Sequence, residues 1–247
     1  MTLLEVCVAD ALSLAEAIAG GADRIELCSS LELGGLTPTP GLIGQAAEAP
    51  IPIYAMVRPR SGDFVFDAGD LDCMYREIDA VRAAGLAGVV LGASRPDGTL
   101  DTAMLEKLSR HASGLGTTLH RAIDLVPDLR EGVEAAIALG FERILSSGGA
   151  PTAPEGIAGL RAMVETAAGR IGIMAGSGVR AENVAALLAQ LPLAEVHSSC
   201  AVAVPSQGEA AMRLGFAAPT HKRTAAAAVR AFRAAMETAA PWPSARW

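Results

Sequence analysis

The chain has 247 residues, of which 51% are hydrophobic and 19% are charged, so its composition excludes an intrinsically disordered protein. Its formal net charge of -7 argues against a broad nucleic-acid-binding surface. No apolar run approaches the roughly 18 residues that a membrane span needs, and the first residues, Met1 to Glu5, lack the basic and apolar regions of a secretion signal. We therefore expect a cytoplasmic protein with reduced thiols and with no membrane or nucleic-acid partner.

Short β-branched or apolar runs alternate along the whole chain with longer, alanine-rich segments of helical periodicity. The predicted strands are, in chain order, Leu3–Val8, Arg24–Cys28, Pro52–Val57, Gly88–Leu91, Thr117–His120, Arg143–Ser146, Ile171–Ala175 and Glu195–Ser198. The predicted helices are Ala11–Gly20, Asp70–Ala84, Thr102–Ser113, Leu129–Leu139, Gly156–Ala168, Ala181–Leu191 and Thr220–Thr238. Eight strand–helix units in a chain of this length predict an α/β protein that folds as a single (β/α)8, or TIM, barrel. The whole chain, 1–247, is expected to be one domain, with the barrel over 1–200, a C-terminal helix over 220–238 and a tail over 239–247.

A repeated segment favours a closed barrel over an open sheet. Gly21–Leu27 aligns with Gly85–Leu91, Gly140–Ser146 and Pro192–Ser198; each copy stops a helix at Gly or Pro and begins a strand two or three residues later. The copies fall on even-numbered strands, as expected when alternate strands fill the same layers of a barrel. An open doubly wound sheet would favour a GxGxxG turn after the first strand, and the sequence has none there. No flavin or nucleotide cofactor is expected.

Successive side chains on a strand point to opposite faces, so the parity of each position predicts whether it faces the helices or the barrel interior. Ile25 and Leu27 share an apolar face that should pack on the helices. The opposite parity predicts these inward positions: Glu5, Cys7, Glu26, Cys28, Tyr54, Met56, Arg58, Thr118, His120, Leu145, Ser147, Met174, Gly176, His197 and Ser199. Arg24, Arg143 and Glu195 begin their strands and are predicted to form a structural polar plug at the bottom of the barrel.

The first two strands carry the same Glu-x-Cys pair, Glu5 with Cys7 and Glu26 with Cys28. Parallel neighbours lie about 4.8 Å apart, so we expect Glu5 to meet Glu26 and Cys7 to meet Cys28. Two adjacent carboxylates share a proton, bind a cation or pair with arginines. Two adjacent thiolates suit a soft metal such as Cu(I), although small buried core cysteines are an equally open interpretation.

Basic and imidazole side chains lie at the ends of two other strands. Arg58 ends the third strand near Arg60, and an inward arginine needs either a protein carboxylate, such as Glu5 or Glu26, or an anionic ligand. His120 ends the fifth strand, and Asp124 four residues later is predicted to orient its ring. These positions lie at the carboxyl ends of the strands, where barrel active sites form.

The ends of the seventh and eighth strands carry the remaining candidate residues. Gly176, Ser177 and Gly178 form a turn whose backbone amides either cradle a phosphate or serve only tight turning. His197 ends the eighth strand and Ser199 follows it, next to that turn. Two of the chain's four histidines thus lie at predicted inward strand ends, which favours a functional role for both.

Read in chain order, these motifs resemble the CutC family, whose members are usually labelled copper homeostasis proteins. The resemblance runs from Leu4 to about Cys200 and rests on Leu4–Cys7, Gly20–Cys28, Glu32–Pro38, Met56–Arg60, Gly62–Phe64, His120–Asp124, Leu139–Gly148, Gly176–Val179 and Glu195–Ser199. The family commonly has Phe at the position of Ile123 and a third glycine at the position of Ser177. The first difference should alter packing, and the second should narrow a phosphate-binding turn. The segment beyond about Met212 matches poorly.

The resemblance implies a barrel, a cytoplasmic location, self-association as a dimer or larger homo-oligomer, and a role with copper. Copper would then be held as Cu(I) by Cys7 and Cys28, in agreement with the strand-parity argument.

The family label supplies no reaction, and a second function therefore stays open. It is an isomerase, epimerase or lyase that acts on a small anionic or phosphorylated substrate. The candidate anion-binding residues are Arg58, Arg60, Gly176, Ser177, Gly178 and Ser199. The candidate catalytic residues are Glu5, Glu26, His120, Asp124 and His197. Schiff-base chemistry is disfavoured because neither lysine, Lys107 or Lys222, lies at a strand end.

Overall fold

The computed structural model describes residues 2–239, and its centre is a closed barrel of eight parallel strands. The strands are β1 Leu3–Val8, β2 Arg24–Leu27, β3 Ile53–Met56, β4 Gly88–Leu91, β5 Gly116–Leu119, β6 Arg143–Ser146, β7 Gly172–Ala175 and β8 Glu195–Ser198. The helices that follow β1 to β7 are α1 Ala11–Gly20, α2 Pro40–Ala46, α3 Ala68–Ala83, α4 Thr102–His111, α5 Leu129–Ala138, α6 Ile157–Ala167 and α7 Val184–Leu188. The chain ends with β9 Ala201–Pro205, α8 Glu209–Arg213, β10 Thr220–Thr224 and α9 Ala226–Glu237. β8 pairs with β1 and closes the barrel, which confirms the predicted fold.

The repeated Gly-x-Asp/Glu/Ala segment works as a helix stop followed by a strand start. The carboxylate of Asp10 caps α1 by accepting the backbone N–H of Ser13 at 2.8 Å. Gly21 ends the helix with φ 93°, a left-handed conformation that glycine adopts without strain. The carboxylate of Asp23 then accepts the backbone N–H of Leu4 at 2.8 Å, so the entry to β2 is tied to β1. In this first copy of the repeat, local contacts thus set the end of α1 and the start of β2.

The predicted parity of the strands is confirmed by where their side chains pack. Leu4, Ile25 and Leu27 are fully buried in the large apolar layer between the strands and the helices. Inside the barrel, a smaller cluster contains Cys28, Tyr54, Met56 and Val90.

The bottom of the barrel holds the predicted polar plug. The guanidinium of Arg24 forms ion pairs with Glu5 and with Glu195. Arg143 Nε lies 3.2 Å from a carboxylate oxygen of Glu195, which extends the plug across the barrel. The ring of Tyr54 lies against both guanidinium groups, 5.3 Å from Arg24 Cζ and 4.7 Å from Arg143 Cζ. The charges of the plug are therefore paired with one another.

The register of β1 against β2 differs from the prediction. Glu5 lies opposite Arg24, and Cys7 lies opposite Glu26. The expected pairs, Glu5 with Glu26 and Cys7 with Cys28, are therefore wrong by two residues. The reason is the stagger that closing a barrel imposes on neighbouring strands, which a comparison of matching motifs does not include.

The segment after β8 also departs from the prediction of one helix over Thr220–Thr238. Thr220–Thr224 instead forms β10, which pairs antiparallel with β9, and the helix begins only at Ala226. β-branched threonines at both ends of β10 suit a strand, and the partner strand supplies the hydrogen bonds. We call residues 201–224 the arm. Most of the predicted tail, 240–247, lies outside the described residues.

Helix α9 takes the place of the eighth barrel helix, so the arm is an insertion between β8 and its helix. The backbone N–H of Ala226 donates to Glu16 of α1 at 2.8 Å, and Arg233 donates to the carbonyl of Gly21 at 2.7 Å. None of the helices in the described part of the chain is long and apolar enough to cross a bilayer.

Replacing Phe232 with alanine tests this placement of α9. Phe232 is 1% exposed, and its truncation should lower the free energy of unfolding by about 3–5 kcal/mol because it leaves a cavity between α9 and the barrel. Urea unfolding is the measurement, and Phe216→Ala is the control, since Phe216 is 84% exposed and its loss should change stability by about 0.5 kcal/mol or less. Equal effects of the two changes would contradict this placement.

Candidate functional site

A pocket of about 870 Å³ opens at the carboxyl ends of the barrel strands. Its lining includes eight of the predicted inward residues, and five of these are ionisable. They come from β1, β2, β8 and the residues that follow β3 and β5: Cys7, Glu26, Arg58, His120 and His197. All five are buried, so their polar atoms are withdrawn from bulk water. Buried ionisable groups collected in one pocket are typical of a functional site.

Three of these side chains converge on one point of the pocket. One ligand atom each of Cys7, Glu26 and His197 lies within 4.8 Å of the other two. The register of the barrel strands explains the convergence. On β2, Glu26 lies opposite Cys7 of β1. On β8, His197 lies opposite Glu5, which is two residues before Cys7 and points to the same side of β1. His197 Nε2 is 3.8 Å from a carboxylate oxygen of Glu26. A thiol, an imidazole and a carboxylate thus share one small volume.

Glu5 holds the ring of His197 in place. His197 Nδ1 lies 2.8 Å from Glu5 Oε1, so the ring directs Nε2 towards Glu26 and Cys7. Burial alone would raise the pKa of Glu5, but the hydrogen bond from His197 and the charge of Arg24 outweigh it and hold this pKa at about 2. Burial lowers the pKa of His197, whereas the negative charges of Cys7 and Glu26 raise it well above its ordinary value. Glu5 is therefore a positioning carboxylate for the histidine.

Cys28 has a different environment from Cys7. Its Sγ donates a hydrogen bond to Glu26 Oε2 at 3.5 Å, and burial together with the charge of Glu26 raises its pKa well above the ordinary value. Cys28 is thus a buried thiol that supports Glu26. Among the residues that the structure describes, the convergent group contains Cys7 but not Cys28, because the strand stagger puts Glu26 and not Cys28 opposite Cys7.

Arg58 is not paired with Glu5 or Glu26, which the sequence left open. Its Nη atoms donate to the backbone carbonyls of Leu33, Gly35 and Gly62 at 2.8–3.1 Å. Its Cζ lies 4.8 Å from the centre of the Phe64 ring. Within residues 2–239, its Nε has no hydrogen-bond partner. Burial and the neighbouring charge of Arg60 lower the pKa of Arg58.

His120 lies in the pocket as a neutral ring. Its Nδ1 accepts the backbone N–H of Ala122 at 3.1 Å, which assigns the ring proton to Nε2. Burial and the charge of Arg58 lower the pKa of His120 to about 3. Nε2 is buried, and no atom of the described chain accepts a hydrogen bond from it.

The prediction that Asp124 orients His120 is wrong. The carboxylate of Asp124 accepts hydrogen bonds from Ser146 Oγ at 2.5 Å, from the backbone N–H of Ser147 at 3.0 Å and from that of Gly149 at 3.1 Å. Asp124 therefore holds the loop after β6. The spacing of four residues suggested a contact, but the intervening turn directs the carboxylate to the neighbouring loop.

Four of the six predicted anion-binding residues line the pocket, and Arg60 and Gly176 do not. Arg60 lies outside the pocket. Its guanidinium forms ion pairs with Asp63, at 3.1 Å between Nη1 and Oδ1, and with Asp70, at 2.9 Å between Nε and Oδ2. Ser177, Gly178 and Ser199 line the pocket. Ser177 and Gly178 have φ 71° and 69°, and Ser177 Oγ donates to the carbonyl of Pro151. Gly176 packs inside the barrel, where a Cβ would lie 2.5 Å from Leu145 Cδ1.

Sequence reasoning missed three basic residues of the pocket lining: Arg121, Arg180 and Lys222. Arg121 directly follows His120 at the end of the fifth strand, and this position could have indicated that Arg121 lies at the pocket. Lys222 belongs to β10 of the arm, a segment predicted to be helical, so no sequence signal placed it at the pocket.

The lowered pKa of His120 predicts a pH-dependent stability. The unfolded chain protonates this histidine below its ordinary pKa of 6.5, whereas the folded protein does so only near pH 3. Between these values the unfolded state binds the extra proton, so the free energy of unfolding falls by about 1.4 kcal/mol for each pH unit of acidification. The measurement is urea unfolding of the wild type and His120→Asn from pH 7 to 4, and the variant should lack this component. A difference between the two proteins that does not change with pH would contradict the assignment.

Comparisons with known proteins agree on one family. A protein-family model described as the CutC family matches residues 2–202. A CutC family protein of Sinorhizobium medicae is 58% identical over 238 residues, which cover 96% of this chain and 97% of that protein. One of Caulobacter vibrioides is 55% identical over 229 residues, which cover 92% and 94%.

Solved structures give the same fold. The crystal structure of the "Putative Copper Homeostasis Protein CutC" of Streptococcus agalactiae superposes with a TM-score of 0.77 at 33% identity and covers 81% of this chain and 99% of that one. A thiamine phosphate pyrophosphorylase of Pyrococcus furiosus has a TM-score of 0.58 at 18% identity over 96% of this chain and 95% of that one, a likeness of fold alone.

Proposed function

The chain belongs to the CutC family, and we propose that it binds copper, as Cu(I), at the mouth of its barrel. The observation that carries the proposal is the convergence of Cys7, Glu26 and His197 within 4.8 Å of one another. The ligand set differs from the two cysteines that the sequence predicted. One relative of known structure is described as a copper homeostasis protein, which supports copper as the metal.

The chemistry of the donor set fits this ion. Thiolate ligands favour soft ions such as Cu(I), and imidazole is a common copper ligand. Glu26 Oε1 is buried and has no hydrogen-bond partner among the described residues, which is costly unless a ligand contacts the carboxylate. Cys7 and His197 would be the principal ligands, and Glu26 would neutralise charge or complete the set.

The residues around these ligands support their orientation. Glu5 holds His197 through Nδ1, as the carboxylate partners of metal-binding histidines commonly do. Arg24 in turn holds Glu5, and the thiol of Cys28 donates to Glu26. A cytoplasmic location and self-association as a homo-oligomer stay predictions of the sequence.

A titration with Cu(I) tests the proposal. The metal-free protein, kept anaerobic, would compete with a coloured Cu(I) chelator, and the expected result is one tightly bound Cu(I) per chain. Mg²⁺, a hard ion that prefers oxygen ligands, is the control and should not displace it. If the protein removes no Cu(I) from a chelator of micromolar affinity, the proposal is wrong.

A further inference from the structure

We propose that the same pocket holds a second site, which binds the carboxylate of a small organic acid through Arg58 and His120. This site does not depend on copper, because its two donors are separate from Cys7, Glu26 and His197. Each donor presents a buried N–H group that has no acceptor in the described part of the chain.

The charge of Arg58 is buried without a counterion. Arg58 is 4% exposed, and in the described chain no carboxylate forms an ion pair with it. Its Nη atoms are bound only by the neutral carbonyls of Leu33, Gly35 and Gly62. A buried guanidinium without an opposite charge is costly, so a bound anion would offset a cost that the fold otherwise carries.

The protonation state of His120 makes it a hydrogen-bond donor. Because Nδ1 accepts a hydrogen bond from Ala122, Nε2 carries the proton and acts as a donor. The low pKa of His120 keeps the ring neutral, so it offers a hydrogen bond without a second buried charge.

The ring of Phe64 holds both donors in place. It contacts Arg58 with 4.8 Å between Cζ and the ring centre, and it contacts His120 with 4.7 Å between ring centres. Both donors are therefore positioned before any ligand enters, which reduces the entropy cost of binding. Met56 and Leu145 provide apolar pocket wall for the carbon skeleton of an acid.

The geometry of the donors favours a carboxylate over a phosphate. Three of the five N–H groups of Arg58 donate to backbone carbonyls, which leaves Nε–H and one N–H of Nη2, and His120 adds Nε2–H. A planar guanidinium binds a carboxylate through such paired N–H groups, whereas in barrels a phosphate usually binds at the loops after the seventh and eighth strands. In this chain that position corresponds to the turn at Ser177 and Gly178.

Calorimetric titration of the metal-free protein with acetate, succinate and inorganic phosphate, at constant ionic strength, tests the inference. Succinate should bind the wild type. Arg58→Gln and His120→Asn should each weaken this binding at least tenfold. Asparagine can still accept from the N–H of Ala122, and it lacks a counterpart of Nε2. Arg60→Gln is the matched control, because Arg60 is paired with Asp63 and Asp70. The affinity of this variant for succinate should stay within twofold of the wild type.

Three results would overturn the inference. They are the absence of binding by both carboxylates, binding that neither variant weakens, and binding of phosphate alone. Circular dichroism checks that each variant is folded. If Arg58→Gln does not fold, the affinity of His120→Asn for succinate decides the test.

Discussion

Replacing Arg24 with methionine is expected to lower the free energy of unfolding by about 3–5 kcal/mol. The Arg24 side chain is 4% exposed and lies between Glu5 and Glu195 at the bottom of the barrel. Methionine fills a similar volume but removes the guanidinium from Glu5, which is fully buried and keeps only His197 as a polar partner, and from Glu195. Removing one partner of a buried ion pair lowers the free energy of unfolding strongly, because the other charge stays buried. Replacing both partners with apolar residues often changes it little. Urea unfolding at pH 7 is the measurement.

An exposed arginine provides the control. Arg170 pairs with Glu134 on the surface, where both side chains are about half exposed, so Arg170→Met should cost about 1 kcal/mol or less. Adding Glu5→Gln to Arg24→Met should recover part of the loss, because the buried negative charge that lost its guanidinium is removed as well. A cost for Arg24→Met as small as that of Arg170→Met would contradict the role assigned to the plug.

The second large effect is expected from the two cysteines of the pocket. Cys7→Ser should weaken Cu(I) binding by at least about 100-fold. Loss of a residue that only hydrogen-bonds to a metal ligand already lowers metal affinity by about 10–100-fold, and Cys7 is proposed as a ligand itself. Cys28→Ser should change the affinity by less than about fivefold, because its Sγ only donates to Glu26, and a serine hydroxyl donates equally well. Competition with a coloured Cu(I) chelator measures both affinities.

The two cysteine variants form a matched pair. Both exchange a buried sulfur for oxygen inside the barrel, one in β1 and one directly after β2, so general destabilisation should affect them similarly. Their unfolding midpoints, measured without metal, check this. Equal losses of affinity, or a larger loss in Cys28→Ser, would restore the two-thiol site that the sequence predicted.

The strands and their inward faces were predictable because both follow from local patterns. Four of the eight strands have the predicted bounds, and strand parity placed Cys7, His120 and His197 correctly at the mouth of the barrel. The alternation of side chains along a strand is a property of the strand itself, so no knowledge of neighbouring strands is needed.

The contacts between strands were not predictable in the same way. The pairing of Cys7 with Glu26 depends on the stagger of the closed barrel, which no single strand reveals. The partners of Asp124 and Arg60 depend on how loops fold back, and the strand at Thr220–Thr224 exists because Ala201–Pro205 pairs with it. These misses share one cause, a contact between distant segments that overrides the local pattern.

X-ray absorption at the copper K edge, on protein loaded with one equivalent of Cu(I), tests whether Cys7 and His197 hold the ion while Cys28 does not. The expected first shell contains one sulfur and at least one nitrogen or oxygen, with the outer-shell scattering of an imidazole ring. A first shell of two sulfurs without imidazole would contradict this ligand set.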